Sequence, residues 1–167
     1  MKNVVLIGMP GAGKSTIGVL LAKTINYRFI DSDLIIQNSD GRMLYEIINQ
    51  DGIDEFLKLE DRIVSEINVT NTVIATGGSV IFGENAMKHL KEIACVIYIK
   101  LDCEEIVRRV KNIKTRGIAM NKGETIKDVY NCRVPLYEKY ADIVVDCNNL
   151  NVEDSVEKIY KSLKQFL

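Results

Sequence analysis

The run from Gly8 to Thr16 contains residue types that bind phosphate groups. It reads Gly-Met-Pro-Gly-Ala-Gly-Lys-Ser-Thr and fills every fixed position of the pattern G-x-x-x-x-G-K-[ST]. Glycines bring backbone N–H groups close to phosphate oxygens, Lys14 adds a positive charge at the β- and γ-phosphates, and the Ser15 hydroxyl can ligate Mg²⁺. We predict that the triphosphate is bound by the following residues: Gly11, Ala12, Gly13, Lys14, Ser15 and Thr16.

Two carboxylates follow the apolar pair Phe29-Ile30 at a spacing of two residues, Asp31 and Asp33. They are expected at the carboxyl end of a strand, where open α/β sheets bind ligands. One carboxylate can support Mg²⁺, and the other can accept a hydrogen bond from a substrate hydroxyl and take or orient its proton. A helix-capping role for either acid is the structural alternative.

Strand-like and helix-like segments alternate along the chain. The predicted strands are Val4–Ile7, Arg28–Ile30, Thr72–Ala75, Val96–Ile99 and Ile143–Val145. The predicted helices are Lys14–Ile25, Asp33–Ser39, Met43–Gln50, Ile53–Val69, Glu84–Lys91, Glu104–Val110, Thr125–Tyr140 and Val152–Phe166. This order predicts an α/β fold of the P-loop NTPase type, with three layers and a five-stranded parallel sheet covered by helices on both faces. The phosphates would then lie at the N-terminus of the first helix.

Length and composition favour one domain, residues 1–167, because 167 residues with 47% hydrophobic content suffice for one core. A net charge of −1 gives no reason to expect a nucleic acid partner. The longest apolar runs have the length of strands, which disfavours a membrane span, and a strand predicted from Val4 leaves no room for a signal peptide. We therefore expect a cytoplasmic protein, and we expect it to be monomeric.

Residues 111–123 lack a core-facing pattern and contain many Lys, Asn and Gly residues. A segment of this kind is typical of a lid that excludes water before phosphoryl transfer. A solvated loop without a role is the alternative.

Five sequence motifs, taken in their order along the chain, match those of a known family. They are Gly8–Thr16, Asp31-Ser32-Asp33, Gly77-Gly78, Arg116 and Arg133-Val134-Pro135-Leu136-Tyr137. Over essentially its full length the chain resembles the shikimate kinases. The phosphate loop alone is shared by many activities, whereas the two acids, the double glycine and R-x-P-L-Y together are far more specific.

The resemblance implies a role for each matching position. Asp31 would support magnesium, Asp33 would hold substrate hydroxyls, and Arg133 would pair with the substrate carboxylate. Arg116 would reach the transferred phosphoryl group, and Arg109 would stack on adenine, although a solvated helix residue is the alternative for Arg109. The remaining substrate contacts would come from the backbone at Gly77, Gly78 and Ser79.

The chain departs from the family at positions near the substrate. The family's F-R-x-x-E is Phe56-Leu57-Lys58-Leu59-Glu60 here, so that Leu57 replaces one arginine of the carboxylate clamp. Lys58 lies about 100° further around the helix, a poor position from which to replace it. Ser79 replaces the third glycine, and Arg116-Gly117-Ile118-Ala119 replaces the lid's R-P-L-L. These departures raise the hypothesis of a changed acceptor.

We predict a kinase that uses ATP and Mg²⁺, with Lys14, Asp33 and Arg116 as catalytic residues. Ser15 and Asp31 would hold the metal. Shikimate is the best single prediction for the acceptor, and the product would be shikimate 3-phosphate. Two alternatives stay open: a kinase for another hydroxylated small molecule, such as a hydroxy amino acid or sugar acid, and a non-catalytic nucleotide-binding regulator, which would not need Asp33 or Arg116.

Overall fold

Five parallel strands form one sheet in the computed structural model, which describes residues 2–111 and 117–166. The strands are β1 (Asn3–Ile7), β2 (Arg28–Asp31), β3 (Thr72–Ala75), β4 (Ala94–Lys100) and β5 (Ile143–Asp146). Their spatial order is β2-β3-β1-β4-β5. In the centre, Val5 of β1 is aligned with Ile74 of β3 and with Val96 of β4. The predicted five-stranded parallel sheet is confirmed.

The helices surround this sheet. They are α1 (Lys14–Ile25), α2 (Ser32–Asp40), α3 (Leu44–Asp51), α4 (Ile53–Ser65), α5 (Glu84–Ile93), α6 (Cys103–Val110), α7 (Ile126–Tyr140) and α8 (Val152–Phe166), with a 3-10 helix at Val80–Phe82. Every residue of β1 and β3 is buried. Because successive strand residues point to opposite faces, both faces of the sheet are covered. Within the described ranges, no helix has the length and apolar character needed to cross a membrane.

Helix α4 ends four residues earlier than the pattern predicted, at Ser65 instead of Val69. The side chain of Asn3 donates a hydrogen bond to the carbonyl of Val69 at 2.8 Å and accepts one from the N–H of Thr72 at 3.0 Å. These contacts connect the segment before β3 to β1. A tertiary contact therefore overrides the helical spacing of the apolar residues.

The hydrophobic core has two parts. The larger part surrounds β1, β3 and β4, whereas a smaller cluster joins α2, α3 and α4. The smaller cluster consists of Ile36, Leu44, Ile47, Phe56 and Ile63. It fixes these three helices beside the carboxyl end of β2, and they form one wall of the cleft described next.

Candidate active site

The phosphate loop is organised around Lys14. Gly13, at φ 89°, is the N-cap of α1, a backbone conformation that glycine adopts readily. The Nζ of Lys14 donates hydrogen bonds to the carbonyls of Gly8 at 2.7 Å and Met9 at 2.8 Å. The lysine is 7% exposed. Its positive charge therefore lies inside the loop, where the helix N-terminus also favours an anion.

Ser15 and Asp31 are brought together at the start of α1 and the end of β2. The hydroxyl of Ser15 donates to Asp31 Oδ2 at 2.6 Å, and Asp31 Oδ1 accepts from the N–H of Asp33 at 2.9 Å. Asp31 is thus the N-cap of α2, so the capping role belongs to Asp31 and not to Asp33. A hydroxyl and a carboxylate are the hard oxygen ligands that Mg²⁺ prefers, and it uses few protein ligands when phosphates complete its shell. The pair fits the predicted metal.

A cleft of about 340 Å³ runs from the phosphate loop to α2, α3 and α4. It brings together eleven of the predicted residues: Gly11, Gly13, Lys14, Ser15, Thr16, Asp31, Asp33, Gly77, Gly78, Ser79 and Arg133. Of the loop residues, Ala12 is buried at 2% exposure. The predicted phosphate side and the predicted acceptor side therefore form one continuous space.

Bare backbone is required at the double glycine. A Cβ at Gly77 would lie 2.6 Å from Asp33 Oδ1, and one at Gly78 would lie 2.9 Å from Arg133 Nη1. Both distances are shorter than a carbon atom tolerates. The two glycines thus allow the carboxylate and the guanidinium to approach the same turn.

Arg133 is a buried cation beside this turn, at 2% exposure. Its Nη2 donates to the carbonyl of Ala119 at 2.8 Å, and its guanidinium lies 5.5 Å from the ring centroid of Phe82. Among the residues described, no carboxylate forms an ion pair with it. A buried charge of this kind is well suited to a ligand carboxylate.

Arg109 contacts the phosphate loop from α6. Its Nη1 donates to the carbonyl of Gly11 at 3.2 Å, while its Nε donates to Glu105 at 2.8 Å. Arg109 is therefore held beside the phosphate loop. Arg116 lies outside the described residues. Residues 117–119, in the second half of the predicted lid, line the cleft.

Lys58 does not replace the missing clamp arginine. Its side chain is 74% exposed and donates to Glu55 at 2.9 Å. Leu57 packs against the smaller hydrophobic cluster. Within the described part of the site, Arg133 is thus the one cation in place for the predicted clamp.

Glu60 and Tyr137 are buried site residues that close two of the quoted motifs, although the sequence analysis gave neither of them a role. Glu60 is 2% exposed and accepts a hydrogen bond from Ser79 Oγ at 2.6 Å. Burial raises the pKa of Glu60 to about 7; the Ser79 hydrogen bond lowers it and the charge of Asp33 raises it. Tyr137 donates to the carbonyl of Gly78 at 2.6 Å, and burial raises its pKa to about 12. The available signals were the last position of the F-R-x-x-E motif for Glu60 and the last position of R-x-P-L-Y for Tyr137.

Comparison with known proteins gives a consistent result. A family model described as shikimate kinase matches residues 10–164. The shikimate kinase of Thermodesulfovibrio yellowstonii is 35% identical over 99% of this chain and 96% of its own length. Two solved structures are also similar. A shikimate kinase from Acinetobacter baumannii in complex with shikimate has a TM-score of 0.91 and 27% identity, and the match covers 99% of this chain and 94% of that one. The shikimate kinase of Aquifex aeolicus has a TM-score of 0.80 and 32% identity, and the match covers 97% of this chain and 96% of that one.

Proposed function

The chain belongs to the shikimate kinase family, and on that premise we propose that it transfers the γ-phosphoryl group of ATP to a hydroxyl of shikimate, giving shikimate 3-phosphate. The observation that carries this proposal is the single cleft in which the phosphate loop, Asp33 and the buried Arg133 face one another. A phosphate donor and a carboxylated, hydroxylated acceptor would be held side by side there. Phosphoryl transfer depends mainly on such positioning and on charge stabilisation.

On the donor side, the proposal gives Lys14 the β- and γ-phosphates. Ser15 and Asp31 would hold Mg²⁺, which would neutralise charge on the phosphate oxygens when bound. Arg109, beside the loop, would lie against the adenine, and Arg116 of the lid would stabilise charge on the transferred group. The hydrogen bonds of Lys14 and Ser15 support these roles because they hold the Lys14 ammonium inside the loop and the Ser15 hydroxyl against Asp31.

On the acceptor side, Arg133 would bind the carboxylate and Asp33 would accept a hydrogen bond from a hydroxyl. Asp33 would then orient that hydroxyl or take its proton as the new O–P bond forms. The turn at Gly77, Gly78 and Ser79 would bring backbone groups close to the acceptor ring. The contact between the turn and both charged side chains supports this assignment.

A second acceptor is favoured by one observation: among residues 2–111 and 117–166, Arg133 has no second cation beside it to complete the predicted clamp. Leu57 is uncharged and Lys58 is directed to solvent, so a carboxylate would depend on Arg133. Another hydroxylated small molecule, a hydroxy amino acid or sugar acid, is therefore the alternative substrate. Monomeric state, a cytoplasmic location and a single domain stay predictions from the sequence.

The test is an ATP-consumption screen over hydroxylated metabolites that includes shikimate. We expect shikimate to give the highest kcat/KM, with phosphate on one ring hydroxyl of the product by ³¹P NMR. Asp33→Asn, which preserves shape, is the matched inactive control. A different acceptor with a higher kcat/KM would contradict shikimate as the substrate. If none of the acceptors supported ATP consumption, the kinase activity itself would be contradicted.

A further inference from the structure

Arg42 connects two of the helices that form one wall of the cleft. It lies in the turn between α2 and α3, and its guanidinium donates five side-chain hydrogen bonds. Nε and Nη2 donate to Asp40 at 2.6 and 3.0 Å, Nη1 and Nη2 donate to Asp51 at 3.0 and 2.7 Å, and Nη1 also donates to Gln50 at 3.1 Å. Because a guanidinium has five N–H groups, every donor of this side chain is used within the protein. Arg42 is therefore committed to the two helices and does not serve as a second clamp cation.

The carboxylates that Arg42 binds stand at the ends of those helices. Asp40 is the last residue of α2, and Asp51 is the last residue of α3. Each accepts two hydrogen bonds from the guanidinium, a geometry that fixes orientation as well as distance. Part-exposed ion pairs contribute little in general, and bidentate pairs joined in a network are the exception. The hydrogen bonds from Arg42 also lower the pKa of both carboxyl groups, so both are charged at neutral pH. We call these three residues, Asp40, Arg42 and Asp51, the Arg42 network.

The segment that follows Arg42 reaches the cleft. Met43, Leu44 and Tyr45 line it, as does Gln37 of α2. Met43 is the N-cap of α3, and its side chain has no oxygen to accept the first N–H groups of the helix. The N–H of Leu44 donates instead to Gln37 Oε1 at 3.1 Å. The position of this helix end therefore depends on its attachment to α2.

The start of α3 has little freedom to move without changing the cleft. A Cβ at Gly117 would lie 2.7 Å from the backbone N of Tyr45 and 2.9 Å from the backbone carbonyl carbon of Leu44. Gly117 also lines the cleft, so two of its sides are in close contact at this point. The residues of the Arg42 network do not line the cleft themselves. Any effect of the network on a ligand must therefore pass through the turn.

We propose that Arg42 is a positioning residue for the acceptor. It ties the ends of α2 and α3 together, and it thereby sets where Met43–Tyr45 stands against the acceptor in the cleft. The inference rests on the proposed function, in which the acceptor lies between Asp33 and Arg133. The phosphate loop lies between β1 and α1 and has no part in the Arg42 network, so ATP binding does not depend on Arg42.

The experiment measures kcat, the KM for shikimate and the KM for ATP in the wild type, in Arg42→Met and in Arg42→Lys. Methionine keeps an unbranched apolar stem and removes every donor, whereas lysine restores the charge without the planar fork. We expect Arg42→Met to raise the KM for shikimate about tenfold with the KM for ATP unchanged, and Arg42→Lys to fall between it and the wild type. Arg62→Met, at an exposed position on α4, is the matched control and is expected to behave as the wild type.

Asp51→Asn is the second variant, and it decides the matter if Arg42→Met does not fold. Asparagine keeps the shape of the side chain and removes its charge, so we expect the KM for shikimate to rise about threefold with the KM for ATP unchanged. Because Arg42 and Asp51 act as a unit in this inference, adding Asp51→Asn to Arg42→Met should raise the KM no further.

Three results would overturn the inference. They are an unchanged KM for shikimate in the folded Arg42→Met or Asp51→Asn, a rise by the same factor in both KM values, which indicates a general loss of structure, and effects of the two substitutions that multiply in the double variant. A wild type that is inactive on shikimate would contradict the proposed function instead. The same comparison would then be made with the acceptor found by the screen.

Discussion

Glu60 makes the free energy of unfolding depend on pH in the direction opposite to that of an ion-paired carboxylate. Its pKa is raised from 4.5 to about 7 in the folded chain, mainly by burial. Between these two values the folded state holds more protons than the unfolded state. The stability contributed by this group is therefore complete below pH 4.5, falls as the pH rises, and reaches its minimum above pH 7.

The size of the effect follows from the change in acidity. Each tenfold change in an acidity constant corresponds to about 1.4 kcal/mol, so a pKa raised from 4.5 to about 7 corresponds to about 3 kcal/mol between pH 4.5 and pH 8. The figure needs no reduction for solvent screening because the group is 2% exposed. In Glu60→Gln the titration is absent, and this part of the pH dependence disappears.

Urea unfolding at four pH values between 5 and 8 measures this difference. The quantity of interest is the free energy of unfolding of Glu60→Gln minus that of the wild type, since other titrating groups such as Glu105, whose pKa is lowered to about 2 by Arg108 and Arg109, cancel in it. We expect the difference to increase by about 2.5 kcal/mol from pH 5 to pH 8, and to stay level for Glu66→Gln, the matched control at an exposed position directly after α4. A difference that is constant with pH would refute the reasoning, and one that decreases would mean that Glu60 is stabilised as an ion.

Further substitutions test the remaining roles. Lys14→Ala is expected to lower kcat/KM by about 100-fold or more while the chain stays folded by circular dichroism, because the lysine serves phosphates; retained turnover would exclude the loop from catalysis. Asp33→Asn is expected to lower kcat by about 100-fold with little change in ATP affinity by calorimetry, and a loss confined to ATP affinity would contradict its acceptor role. Leu57→Arg is expected to lower the KM for shikimate by about tenfold, the effect of a charge-assisted hydrogen bond; no gain over a micromolar wild-type KM would show that Arg133 suffices. Gly77→Ala is expected to raise the KM for shikimate more than that for ATP, since its Cβ would lie 2.6 Å from Asp33 Oδ1, and equal effects on both would point to misfolding of the turn.

The fold was largely predictable because its strands are short apolar runs, of which β1 and β3 are buried at every residue. Each of the five predicted strands is present, and α1 and α8 have the predicted bounds. The predicted end of α4 was wrong because it depends on a contact with the side chain of Asn3, 66 residues from Val69. The 3-10 helix at Val80–Phe82 was not predicted, since three residues carry no periodic signal.

The two sides of the cleft differed in how far the sequence could predict them. The phosphate loop is one continuous segment, so its residues are together in the sequence before they are together in space. The acceptor side is assembled from β2, α4, the turn after β3 and α7. Contacts such as Ser79 to Glu60, across 19 residues, and Tyr137 to Gly78, across 59, depend on the completed fold. Residue types alone could not reveal them.

Ser79 changes how the departures from the family pattern are interpreted. As a sequence feature, its hydroxyl suggested an altered contact with the substrate. In the structure that hydroxyl donates to Glu60 at 2.6 Å, so its hydrogen bond is made within the protein. Leu57 is then the described departure that removes a charge from the clamp, and it lies three residues from Glu60 on the same helix, where the two side chains are neighbours. Because Leu57 is uncharged, it does not lower the pKa of Glu60. Burial raises that pKa, and the hydrogen bond from Ser79 supports the carboxylate. The two substitutions therefore fit one rearrangement around Glu60, and they do not require a change of acceptor.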